Sequence, residues 1–200
     1  ARAAALTPLH TGGPEPDLTV LDADGAQRCS DDDLGDGSCA LTGAAPFRLL
    51  VSTDDDEPAT GGYRVALHRT DTVSDCPVLP AGSFGSDTAE ARFTMGGGVF
   101  SHCLSIPADD HSAAEILQLE TVSGGSTAQF TVVDAEGRQS CYVNPSRSTW
   151  TTCRLTPGLA HTVLVSGRDH EGEYRLVRRD VTATAEGCAA TPATAVGGPS

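Results

Sequence analysis

Apolar and polar residues alternate with a period of two along Phe130-Thr-Val-Val-Asp-Ala-Glu-Gly-Arg-Gln-Ser-Cys141. Nearly the same pattern occurs at Leu18-Thr-Val-Leu-Asp-Ala-Asp-Gly-Ala-Gln-Arg-Cys29, an offset of 112 residues. Period-two alternation places successive side chains on opposite faces of a strand, and a four-residue segment with Asp first and Gly last is a type I turn. Each copy therefore predicts strand, turn, strand and cysteine. Further along, Phe47-Arg-Leu-Leu-Val-Ser52 matches His161-Thr-Val-Leu-Val-Ser166 as a β-branched and Leu-rich strand. Gly62-Tyr-Arg-Val-Ala-Leu67 matches Glu173-Tyr-Arg-Leu-Val-Arg178, with Tyr63 and Tyr174 expected toward the core and Arg64 and Arg175 toward solvent. No stretch has helical periodicity.

The repeat predicts two tandem antiparallel β-sandwich, jelly-roll-like domains: a first module over 1–76, a Pro/Gly-rich connector over 77–91, a second module over 92–188 and a tail over 189–200. The first copy begins late. Ala1 to Leu6 aligns with Ala113 to Gln118, so no counterpart of Val99-Phe-Ser-His-Cys-Leu-Ser-Ile106 lies within the sequence. Either the first module does without that edge strand or a segment upstream supplies it. An uncovered edge invites pairing with other chains.

Composition changes the picture in three ways. Trp150 is the only tryptophan, so each module of roughly 90 residues has a thin core that needs staples. Seven cysteines without a Cys-x-x-Cys pair or zinc spacing predict disulfides in an oxidising, extracellular or cell-surface setting. Cys29 with Cys39 and Cys141 with Cys153 keep their places in both copies although the intervening length changes, so each pair is expected to close a hairpin. Closing a loop of that size removes about 3 kcal/mol of unfolded-chain entropy. Cys76, Cys103 and Cys188 leave two alternatives: Cys76 with Cys103, pinning the connector to the strand it leads into, or Cys103 with Cys188, stapling the ends of the second module. Finally, the net charge of −14, with all thirteen basic residues arginine, argues against nucleic acid and anionic membrane surfaces as partners. No apolar run is long enough to span a bilayer.

The words Ala-Gln-Phe-Thr-Val-Val-Asp-Ala-Glu-Gly137 and Gly172-Glu-Tyr-Arg-Leu-Val177 resemble the strand-Asp-x-x-Gly turn and the final Gly-x-Tyr strand of the bacterial pre-peptidase C-terminal domain family. The likeness spans most of both copies, and its cysteines depart from that family's pattern. It implies an extracellular accessory role without catalysis, and, through collagen-binding relatives, attachment to matrix assisted by calcium.

Two sets of residues are candidates for binding. The acidic clusters Asp31-Asp32-Asp33 with Asp36, and Asp54-Asp55-Asp56-Glu57, offer the carboxylate oxygens that calcium requires, with Asp31, Asp33, Asp36, Asp54 and Asp56 as ligands. Their spacing is not that of an EF-hand, and solvated loops are the plainer reading. Trp150, with Tyr142 and Arg147 nearby, could form a stacking platform for a polysaccharide or matrix protein, or Trp150 could instead fill the end of the sandwich. Catalysis is not indicated: there is no Gly-x-Ser-x-Gly elbow and no His-Glu-x-x-His helix. His10, His68, His102, His111, His161 and His170 read as surface or strand residues, and Pro145 after Asn144 removes the one glycosylation sequon. The reading is a non-catalytic secreted module that joins other domains or chains of an extracellular assembly, with a ligand-binding module as the alternative.

Overall fold

The computed structural model describes residues 16–53, 62–72, 75–82, 84, 89–124, 128–144, 148–167 and 171–182, and the backbone of 2–11. Its strands are β1 (Arg2–Thr11), β2 (Pro16–Leu21), β3 (Gln27–Cys29), β4 (Cys39–Ala40), β5 (Arg48–Thr53), β6 (Gly62–Arg69), β7 (Glu90–Met95), β8 (Ser101–Ile106), β9 (Ala114–Gly124), β10 (Gln129–Asp134), β11 (Gln139–Val143), β12 (Trp150–Arg154), β13 (His161–Ser166) and β14 (Gly172–Asp180). One short helix, α1 (Asp31–Gly35), interrupts them.

These strands form four antiparallel sheets, two in each half of the chain. The first half has β4-β1-β6 and β3-β2-β5; the second has β12-β9-β14-β7 and β11-β10-β13-β8. The two halves follow the same plan, because β1 takes the place of β9, β2 of β10, β5 of β13 and β6 of β14. The register agrees: Ala5 lies opposite Leu67 as Leu117 lies opposite Arg178. What differs is that β7 and β8 have no equivalents among the described residues of the first half. The sequence pattern pointed to one absent strand, whereas among the described residues neither sheet of the first sandwich has its fourth strand.

The repeated turn is built the same way twice. In the first copy the buried Asp22 accepts the Asp24 and Ala26 N–H groups on Oδ1, at 3.0 and 2.9 Å, while the Gly25 N–H bonds the Asp22 carbonyl. In the second, Asp134 Oδ1 accepts from Glu136 and Arg138, both at 2.9 Å, and the Gly137 N–H bonds the Asp134 carbonyl. Gly25 and Gly137 have φ of 82° and 79°, the left-handed region where a side chain is strained, and a bulge follows in each hairpin. The second carboxylate oxygen has a different partner in each copy. Asp22 Oδ2 is held by the Arg28 guanidinium, which keeps that carboxyl below the usual carboxylate range, whereas Asp134 Oδ2 accepts the Thr156 hydroxyl.

Disulfides join Cys29 to Cys39, Cys141 to Cys153, and Cys76 to Cys103. Of the two alternatives for the remaining cysteines, the structure contains the connector bridge; Cys188 lies outside the described residues. The connector also pairs alongside β8. The Ser105 N–H donates to the Pro77 carbonyl and the Leu79 N–H to the Ser105 carbonyl, both at 2.8 Å, so Val78 opposite Ser105 extends the sheet in parallel. Leu79 is thereby buried in the second core with Phe93, Met95, Leu104, Ile106, Leu117, Phe130, Val132, Val163, Val165, Tyr174 and Leu176. His102 closes this flank by stacking on Phe93, with ring centroids 4.5 Å apart. Among the described residues the first core contains Leu18, Val20, Leu34 and the Cys29–Cys39 bridge, with Leu41, Phe47, Val51 and Val65 against them.

Candidate functional site

The acidic stretch 31–36, expected as a loop, contains one helical turn. Ser30 caps it, with its N–H and hydroxyl donating to the Asp33 carboxylate at 2.8 and 2.9 Å, and Leu34 is buried beneath. Acidic residues in a first turn complement the positive end of the peptide dipoles, which accounts for Asp31, Asp32 and Asp33 without a metal. Burial raises the Asp31 pKa and the Ser30 hydrogen bonds lower that of Asp33. Among the described residues no three His, Cys, Asp or Glu side chains are placed to hold a metal ion. Asp54 and Asp56 lie outside the described residues.

Trp150 is exposed, at 54% of its full surface, and does not fill the end of the sandwich. It starts β12 opposite Gln118 of β9. Alternation settles its direction: Cys153 and Thr151 point inward, so Trp150, Thr152 and Arg154 lie on the outer face of the β12-β9-β14-β7 sheet. Tyr142 belongs to the other sheet. There Val143 points into the core beside Phe130, so Tyr142 lies on the outer face of β11-β10-β13-β8, donating to Gln129 Oε1 at 3.2 Å. The two rings are thus on opposite outer faces and the structure does not bring them into one platform. Arg147 lies outside the described residues. Trp150 instead borders a charge-laced face, where Arg175 pairs with Glu90 and Glu120, and Arg92 with Glu90 and Glu173.

One end of the second sandwich holds a polar cluster that sequence reasoning missed. Arg178 is fully buried. Its Nη2 donates to the carbonyl and to the carboxylate Oδ2 of Asp110, both at 2.6 Å, and its Nη1 stands 3.6 Å from Glu115 Oε2. Desolvation pushes the Glu115 pKa up against the pull of Arg178. Beside them the buried His161 accepts the Thr156 N–H on Nε2 at 3.1 Å, so its proton sits on Nδ1. His111 meets that ring edge to face at 5.0 Å and places its own two nitrogens on the Ser112 and Leu159 carbonyls, at 3.0 and 2.9 Å. His161, anticipated as a surface or strand residue, is a strand residue with no exposure. The only available signal was His161 opening a run of six buried positions, His-Thr-Val-Leu-Val-Ser.

Burial, and then the His111 charge, lower the His161 pKa to about 4, with Asp134 acting in the opposite direction. The unfolded ring titrates near 6.5, so between about pH 6.5 and 4 the unfolded chain binds more protons and stability falls as pH falls. We expect the second sandwich to lose roughly 3 kcal/mol between pH 7 and pH 4 from this ring. Glu115 works with opposite sign, since its raised pKa costs stability as pH rises. In His161→Gln, whose amide oxygen still accepts from Thr156, urea unfolding should show a flatter acid limb; an unchanged limb would assign the acid sensitivity elsewhere.

His68 on β6 and the Ser101 hydroxyl of β8 share a hydrogen bond through Nε2 at 2.6 Å. A catalytic pair also needs a group that orients the far ring nitrogen and stabilises the imidazolium. The influences on His68 are burial and His102, and both lower its pKa. The contact ties β6 of the first half to β8 of the second, and β1 also runs close to β13.

The first sandwich has its most unusual surface where β7 and β8 have no counterpart. Tyr63 faces its own core as Tyr174 does, but Tyr63 is 54% exposed and Tyr174 fully buried. Leu67 is 55% exposed where Arg178 is fully buried, and Leu49 37% exposed where Val163 is fully buried. Inward-facing side chains of both sheets therefore emerge along one flank. No known protein-family model matches the chain, and no curated protein aligns with it significantly.

Proposed function

We propose that this chain is a non-catalytic extracellular accessory element, a pair of β-sandwiches that joins other domains or chains of a secreted assembly. The observation that carries this reading is the open flank of the first sandwich, where Leu49, Tyr63 and Leu67 present core-facing side chains to solvent. A contiguous apolar strip beside two unpaired strand edges marks an interaction surface. Three intramolecular disulfides support an oxidising setting, and among the described residues no helix is long and apolar enough to cross a membrane. The resemblance to pre-peptidase C-terminal domains supports the same accessory role.

The test is the state of the protein as its cells secrete it. Gentle cross-linking followed by mass measurement should find these residues within a polypeptide or complex larger than 20.5 kDa. Recovery solely as a free monomer of that mass, even after cross-linking, would overturn the reading.

A second reading, attachment to polysaccharide or matrix protein with or without calcium, has one observation in its favour: exposed Trp150 beside a flat polar sheet face. Trp150→Ala should leave the fold intact, because the ring is outside the core, and should weaken retention on an insoluble polymer at least tenfold. Equal retention of both proteins would remove this reading.

A further inference from the structure

The geometry points to strand complementation: the open flank of the first sandwich takes a strand–turn–strand arch from a partner polypeptide, one strand for each sheet, whose two strands carry apolar side chains at alternate positions as β7 and β8 do. This rests on the accessory reading above and names the kind of partner. The molecule contains its own pattern for that partner. In the second sandwich β7 pairs with β14, setting Ala91, Phe93 and Met95 opposite Leu176, Tyr174 and Gly172. β8 pairs with β13, setting His102, Leu104 and Ile106 opposite Val165, Val163 and His161. One strand–turn–strand arch thus closes both sheets and covers the core between them. In the first sandwich the equivalent strands, β6 and β5, are outermost in their sheets, and among the described residues nothing pairs with their free edges.

Both kinds of recognition that an added strand needs are present there. Among the described residues, the outer edges of β5 and of Tyr63–Arg69 in β6 supply main-chain groups for an added strand, and Leu49, Val51, Tyr63, Val65 and Leu67 supply the apolar contacts. A lone strand on either edge would leave the other sheet open and the core between them wet, which is why the occupant is an arch of two strands rather than one extended segment.

The chain's own β7–β8 sequence serves as the probe. A synthetic peptide of residues 89–107 with Cys103→Ser is titrated into the intact protein, and amide hydrogen exchange is followed along the chain. We expect saturable binding, at least tenfold slower exchange in β5 and β6, and at least tenfold weaker binding to Leu67→Glu, a change at an exposed position that leaves folding intact. A peptide of equal composition with its apolar residues moved to the opposite parity should not bind, because one register step turns every side chain to the other face. The inference is overturned if exchange in β5 and β6 is unaffected at saturating peptide. It is equally overturned if protection falls only on β13 and β14, or if sedimentation shows the chain covering this flank by self-association. Any of those results leaves the accessory reading standing on its cross-linking test, whereas a secreted free monomer would remove that reading even if the peptide bound.

Discussion

Tyr174→Ala is expected to destabilise the second sandwich by about 4 kcal/mol, while Tyr63→Ala at the equivalent place costs the first less than about 1 kcal/mol. The two tyrosines share strand position and direction, so the comparison isolates burial. Tyr174 has no exposed surface and packs on Phe93 at 5.9 Å between ring centroids, among Met95, Leu119 and Phe130. Truncation there removes a large apolar ring and leaves a cavity that a close-packed core refills only in part. Tyr63 has half its surface in solvent, and its truncation opens no enclosed space. Denaturant unfolding of each single variant, followed by probes specific to each half, measures both costs. Equal losses would mean that the flank of the first sandwich is covered in solution.

The second large effect is expected at the buried ion pair. Arg178→Leu should cost about 3 kcal/mol at pH 7, because it leaves the Glu115 carboxylate buried without its counter-charge. Adding Glu115→Ala should recover the stability to within about 1 kcal/mol of the parent. The pairing register provides the reason. In the first sandwich the place of Glu115 is taken by Ala3 and that of Arg178 by Leu67, so the repeated register does not require a charged pair at these positions. Glu115 is already held toward its neutral form by desolvation, and losing Arg178 raises its pKa further. The cost of Arg178→Leu should therefore shrink as pH falls toward 4. A double variant no more stable than Arg178→Leu would show that the pair is needed for its hydrogen bonds to Asp110 and Ser112 rather than for charge balance.

Part of this molecule is legible in local chemistry. Period-two alternation at Leu18 and Val20, and at Phe130 and Val132, specifies inward faces without reference to the rest of the chain. Asp22 with Gly25 and Asp134 with Gly137 specify their turns through hydrogen bonds within five residues. The pairing of Cys29 with Cys39, and of Cys141 with Cys153, was legible from the repeat, but neither bridge closes a hairpin: each joins edge strands of the two facing sheets, β3 to β4 and β11 to β12. The short helix at Asp31 was also written locally, in Ser30 and Asp33, but one turn is too brief to give a periodic signal.

Other features depend on strands far apart in the chain. Alternation says that Tyr63 and Tyr174 face inward; whether that face is covered depends on β7, which follows Tyr63 by more than 20 residues and precedes Tyr174 by almost 80. Trp150 and Tyr142 are eight residues apart, yet the chain crosses from one sheet to the other between them, so their side chains diverge. The Cys76–Cys103 bridge was open between two pairings until the connector was seen lying along β8. Arg178, Glu115 and His161 are polar types whose burial no local pattern predicts, because the groups that satisfy them come from separate loops. By itself, then, the sequence determined strands, turns, the repeat and two bridges, all governed by contacts over a few residues. Which faces are sealed and which stand open was decided by tertiary structure alone, because burial belongs to a pair of surfaces and one of the pair is always remote.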